Sequence, residues 1–194
     1  MKPNARYLHR IQHFKGNPYE IGFAAGRTLG AKLEQTINHY IASREYASDM
    51  AKLQQGALLW LRSLPKRFQD EFEGMAEGAD LPLQRLAEWS YIEECEVQHC
   101  SGAVALFEER AWIARNNDSY APELWGYASI REVEGRIPTI TFSMEGDVFA
   151  PTGINKDRLW LHYNFLSPWD EPRPGRPHVP PDVFLTEALE LCHT

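Results

Sequence analysis

The stretch that decides the reading is His99-Cys100-Ser101-Gly102-Ala103-Val104-Ala105-Leu106-Phe107-Glu108-Glu109-Arg110-Ala111-Trp112-Ile113-Ala114-Arg115-Asn116-Asn117-Asp118. Two short apolar runs, Ala103–Phe107 and Ala111–Ala114, flank the charged turn Glu108-Glu109-Arg110, which predicts a β-hairpin. A hairpin returns its second strand beside the start of its first, so Cys100 and the segment Arg115–Asp118 are expected to be neighbours. A thiol beside a guanidinium, a carboxylate and two amides suits nucleophilic chemistry. The guanidinium favours the thiolate, the carboxylate orients a proton-carrying group, and an asparagine amide can donate to a developing oxyanion. Taken singly, a lone cysteine also reads as a small core hydrophobe, and Asn116-Asn117-Asp118 as a turn after a strand.

Upstream of Cys100 the pattern is helical. Asn17-Pro18 is a start signal, with Asn17 as the N-cap and Pro18 at the first helical position. From there Ile21, Ala24, Ala25, Leu29, Leu33, Ile37 and Tyr40 recur at three- and four-residue steps to about Tyr46. Gly22, Gly26 and Gly30 lie four apart in this stripe. Each weakens a helix by roughly 1 kcal/mol relative to alanine, so the series predicts close backbone packing. Further helices are expected over Leu53–Leu64, from Pro65 to about Gly78, and from Asp80-Leu81-Pro82 toward Glu94.

Downstream the pattern is strand-like: Trp125–Val133, Ile137–Met144 and Leu159–Phe165, punctuated by Gly135, Gly146 and Thr152-Gly153. The segment Ser167–Pro181 holds six of the 13 prolines and is expected to be a loop or linker. Asp182–Cys192 turns helical again.

Composition narrows the function classes. A net charge of -7, from 20 Lys+Arg against 27 Asp+Glu, with no basic run, argues against nucleic acid as a partner. No apolar stretch approaches the roughly 20 residues needed to cross a bilayer, and the first fifteen residues carry no apolar core of a secretory signal. Cys95, Cys100 and Cys192 form no CxxC pair, so neither a disulfide framework nor a zinc ribbon is indicated. His99 and His162 match no metal-ligand spacing. The expectation is a cytoplasmic, reduced protein with no cofactor and no metal, not bound to a membrane.

In this order the motifs resemble those of the acyl-coenzyme A:6-aminopenicillanic acid acyltransferase family, a group of N-terminal-nucleophile hydrolases. That family's pattern is a cleavage-site cysteine followed by Thr or Ser, two strands, and an Arg/Gln-Asn-x-Asp segment. Here these are Cys100-Ser101, the two apolar runs, and Arg115-Asn116-Asn117-Asp118. Upstream, Gly16-Asn17-Pro18-Tyr19-Glu20-Ile21-Gly22 with Gly26, and Gly74-Met75-Ala76-Glu77-Gly78-Ala79 before Leu81-Pro82-Leu83, are similar to the family's segments. Downstream, so are Gly153-Ile154-Asn155-Lys156-Asp157-Arg158-Leu159 and Tyr163-Asn164-Phe165.

The resemblance implies an α+β chain in two parts. Residues 1–99 would be a helical N-terminal pro-segment, and residues 100–194 the first part of an αββα sandwich, whose later strands would lie beyond Thr194. It implies self-cleavage between His99 and Cys100, with His99 standing where the family has glycine and able to supply a local base. The freed α-amino group of Cys100 would act as general base, and the thiolate would attack a linear amide or thioester. Asp118 would fix the amine or thiol, Arg115 would support the site, and Asn164 would lie in or beside the oxyanion hole. Asn116 and Asn117 would contact substrate. The partner is then a small-molecule acyl amide or an acyl-coenzyme A-like compound. The alternative is a truncated or degenerate family member that binds a partner without chemistry. Its exposed sheet edges would invite a homo-oligomer.

Overall fold

The computed structural model describes residues 11–42, 50–95, 99–118, 125–164 and 180–194, excepting the side chains of 50–53, 93–95, 99, 117–118 and 125–126. The described chain is mixed α+β. Strand β1 (Ile11–Gly16) precedes helices α1 (Pro18–Leu29), α2 (Ala31–Ala42), α3 (Met50–Ser63), α4 (Lys66–Ala79) and α5 (Leu83–Cys95). Strands β2 (His99–Phe107), β3 (Arg110–Asp118), β4 (Trp125–Val133), β5 (Thr139–Met144), β6 (Thr152–Asn155) and β7 (Trp160–His162) follow, and then helix α6 (Pro181–Leu191). Among the described residues no helix is long and apolar enough to cross a membrane.

Asn17 begins α1 as expected. Its side chain accepts from the Glu20 N–H at 3.0 Å, and the Glu20 carboxylate accepts from the Asn17 N–H at 3.0 Å, a reciprocal capping box. The stripe expected to run unbroken past Tyr40 is divided at Gly30. That residue has φ +50°, and its N–H bonds back to the Gly26 carbonyl at 2.7 Å. The left-handed backbone, which glycine adopts without steric cost, stops one helix and starts the next. The reading of Gly30 as a packing residue is thereby corrected, since a Cβ there would meet nothing within 4 Å. The end near Tyr46 lies outside the described residues.

Gly22 and Gly26 do pack backbone to backbone, and their partners are two glycines of α4. A Cβ on Gly22 would fall 2.0 Å from the Glu71 carbonyl oxygen, and one on Gly26 would fall 2.3 Å from that of Met75. Reciprocally, Gly74 and Gly78 face the carbonyl oxygens of Tyr19 and Phe23 at 2.1 and 2.2 Å. Four absent side chains therefore set the separation of α1 and α4.

The helices and the sheet share one core. Phe14 of β1, Val133 of β4 and Met144 of β5 join Ile21, Phe68, Phe72 and Trp89 in a single buried cluster. Phe149, between β5 and β6, packs its ring 5.0 Å from Phe68 and 5.8 Å from Phe72, centre to centre.

The five-stranded sheet has the order β1-β4-β5-β6-β7, with β1 parallel to β4 and the other pairs antiparallel. Strand β1 lies in the part expected to be wholly helical. Only Phe14 among its six residues is buried, so it has no alternating apolar pattern to show it. Thr152-Gly153, expected as punctuation between strands, opens β6. Gly153 is instead where α6 comes down on the sheet, with Leu189 Cδ1 2.5 Å from the position a Cβ would take. The expected proline-rich loop falls almost wholly in residues 165–179, outside the described part.

A buried ionic quartet ties α4, β4 and α6 together. Arg67 donates to Glu71 Oε2 at 2.7 Å and to Glu190 Oε2 at 3.0 Å, and Arg131 pairs with Glu71. All four residues are buried. Burial first, and then the Arg67 charge, lower the Arg131 guanidinium to about 10.

Strands β2 and β3 form the expected hairpin, paired from His99↔Asp118 to Phe107↔Arg110. Its loop, Glu108-Glu109, has φ +49° and +58° at its two residues, the mirror-image turn favoured by tight hairpins. Among the described residues it is a two-stranded sheet separate from the other. Val104 and Leu106 on one face, and Phe107 and Trp112 on the other, are exposed.

Candidate functional site

The hairpin register builds the site. Cys100 pairs with Asn117 and Gly102 with Arg115. Strand alternation puts Cys100, Gly102 and Arg115 on one face, with Cys100 and Arg115 as diagonal neighbours. Arg115 Nη2 donates to Cys100 Sγ at 3.3 Å and to the Tyr163 carbonyl oxygen at 3.0 Å, while Nη1 donates to Thr152 Oγ1. One guanidinium thus holds the half-buried cysteine and fastens the base of the hairpin to the edge of the five-stranded sheet.

That edge supplies further groups. Thr152 pairs with His162 across β6 and β7. His162 Nε2 lies 3.1 Å from the position that a Cβ on Gly102 would take, and Asn164 Nδ2 lies 3.6 Å from it. The Trp160 indole N–H donates to His162 Nδ1 at 3.2 Å. Asp182, in the first turn of α6, feels the Arg115 charge. It is buried, its carboxyl is hydrogen-bonded to the Tyr163 side chain, and its Oδ1 has no hydrogen-bond partner. Burial pushes Asp182 up to about 6, against the opposing effects of the Tyr163 hydrogen bond and the Arg115 charge.

The residues singled out from sequence are placed as follows. Cys100 and Arg115 are in contact, and Asn164 reaches over Gly102 on the same face. Asn116 pairs with Ser101 and belongs to the opposite face of the hairpin from Cys100. The two-residue period separates it from the site to which sequence proximity had assigned it. Asn117 pairs with Cys100 and Asp118 with His99 through the backbone. The side chains of Asn117, Asp118 and His99 lie outside the described residues.

Four residues of this arrangement carried no assigned role in the sequence reading: Thr152, His162, Tyr163 and Asp182. His162 was weighed only as a metal ligand. Its spacing of two from Asn164 was the available signal, since residues two apart in an extended segment share a face. Nothing local marks Thr152 or Asp182, because the fold brings them to Arg115 from far along the chain. Among the described residues no group of three or more His, Cys, Asp or Glu side chains is placed to hold a metal ion. No family model matches the chain, and no curated protein matches it.

The assembled chemistry is a thiol, a fixed cation bonded to it, two nitrogen groups over Gly102, and a buried carboxyl that feels the cation's charge. Such a set can attack an electrophilic carbon and receive negative charge on an adjacent oxygen.

Proposed function

We propose that this protein is a cysteine amidohydrolase or acyltransferase that acts on a linear amide or thioester through Cys100, in the manner of the N-terminal-nucleophile family it resembles. Cleavage between His99 and Cys100 frees an α-amino group that takes the thiol proton. The sulfur attacks the carbonyl carbon, an acyl-enzyme forms, and water or an amine accepts the acyl group. Arg115 holds the sulfur in place, Asp118 fixes the amine, and Asn164 faces the developing oxyanion. The αββα arrangement belongs to the same proposal.

The observation that carries this reading is the Arg115 guanidinium, which bonds Cys100 Sγ at 3.3 Å while anchored on Tyr163 and Thr152. The test is thiol labelling with iodoacetamide at pH 7, read by peptide mass. Cys192 is exposed and Cys100 only half-buried, so accessibility alone favours Cys192. An activated Cys100 reacts first, whereas a Cys100 slower than Cys192 rules the reading out.

A second reading, a binding protein without chemistry, draws on the hairpin, where Val104, Leu106, Phe107 and Trp112 are 60% exposed or more. A Cys100 that labels slowly would favour it.

A further inference from the structure

We propose that His162 is a catalytic residue of this site, with its Nε2–H donating a hydrogen bond to the carbonyl oxygen of the acyl group that Cys100 attacks. The inference rests on the reading of Cys100 as an acyl-accepting nucleophile, and it adds a group that the resemblance does not supply.

An indole N–H is only a donor, so the bond from Trp160 Nε1 at 3.2 Å makes His162 Nδ1 an acceptor. The proton of the neutral ring then sits on Nε2. In this tautomer Nε2 has no free lone pair, so His162 is a hydrogen-bond donor at this site and not the base that deprotonates the thiol.

Nε2 stands 3.1 Å from where a Cβ on Gly102 would lie. Gly102 is two residues from Cys100 on the same strand face, and Asn164 Nδ2 stands 3.6 Å from the same point. Two nitrogen groups from one segment therefore converge over Gly102, whose missing side chain lets them approach the strand face that carries Cys100. Arg115, the cross-strand partner of Gly102, holds the sulfur on the same face. Arg115 is itself held by Thr152, the ladder partner of His162.

In the step assigned to this geometry, the Cys100 thiolate forms the S–C bond and the carbonyl π pair moves onto oxygen. Nε2–H and the Asn164 amide donate to that oxygen. The pair then returns, the bond to the leaving group breaks, and a leaving amine takes the proton lost by the thiol. One preorganised donor of this kind is worth about 10²–10³ in rate.

The test separates attack on a carbonyl, where an oxyanion develops, from attack on an sp³ carbon, where none does. The purified chain is treated with 4-nitrophenyl acetate or with iodoacetamide, and modification of Cys100 is followed by peptide mass. His162→Ala is expected to slow acetylation about a hundredfold and to leave alkylation within about twofold. His162→Gln, whose side-chain amide can donate from a similar position, restores acetylation to within about tenfold of wild type. Gly102→Ala, whose Cβ would lie 3.1 Å from Nε2 and push the imidazole from its place, also slows acetylation selectively, and it supplies the comparison if His162→Ala fails to fold. Equal losses in both reactions, or no loss of acetylation, would overturn the role of His162 while leaving Cys100 as nucleophile. A wild-type Cys100 that alkylates more slowly than Cys192 would remove the underlying reading as well.

Discussion

Asp182→Asn is expected to stabilise the protein above pH 7 and to have little effect near pH 4. A carboxylate in the first turn of a helix is ordinarily favoured by the exposed N–H groups there. At Asp182 burial outweighs that benefit, together with those of the Tyr163 hydrogen bond and the Arg115 charge, and the carboxyl moves from its ordinary 3.8 to about 6. The folded state therefore binds this proton more tightly than the unfolded chain does. The resulting stability is fully present below about pH 3.8 and is lost as the pH rises through about 6. At 1.36 kcal/mol per decade, the interval between the two values corresponds to about 3 kcal/mol. Asparagine mimics the protonated carboxyl and can still accept from Tyr163. Urea unfolding of both proteins at pH 4, 5, 6, 7 and 8 measures the effect, because other titrations cancel in the difference. The stability gap should open from near zero at pH 4 to about 3 kcal/mol in favour of Asp182→Asn at pH 8. A gap that does not change with pH would refute the reasoning, because the carboxyl would then bind its proton equally in both states.

The interlocked glycines give a prediction whose sign is decisive. Gly74→Ala in an isolated helix is favourable by about 1 kcal/mol, but here the new Cβ falls 2.1 Å from the Tyr19 carbonyl oxygen and must force α1 and α4 apart. Overpacking of this kind costs about 1–3 kcal/mol, so thermal unfolding should show a lower Tm, and a higher one would contradict the packing described. Glu71→Ala leaves Arg131 buried without its partner, at an expected cost of about 3–5 kcal/mol in urea unfolding. The double variant Glu71→Met with Arg131→Met should recover most of that loss. If it unfolds as readily as the single variant, the quartet does not act through an uncompensated charge.

What the sequence revealed is what local chemistry determines. The hairpin could be read because two apolar runs flank a charged turn. The helix start at Asn17 is marked by the proline that follows it, and the helices around Phe68 and Trp89 carry their own period. The contact of Cys100 with Arg115 follows from hairpin geometry alone. What stayed hidden depends on distant parts of the chain. Strand β1 buries a single side chain, and only its parallel partner β4 makes it a strand. Within the quartet Arg67 and Glu71 are four apart on one helix, but no spacing links that pair to Arg131 or Glu190. The face of Asn116, opposite that of Cys100, follows from the two-residue strand period once the hairpin register is known. His162 acquires a direction only through Trp160 and the absence of a side chain at Gly102.

The proposed chemistry depends on release of Cys100 as a nucleophile by the chain's own cleavage. The most direct measurement is the intact mass of the freshly purified protein beside that of Cys100→Ala. Two fragments divided between His99 and Cys100 in the wild type, and one uncut chain in the variant, are the predicted result. A wild-type chain that remains whole after prolonged incubation at neutral pH would contradict it.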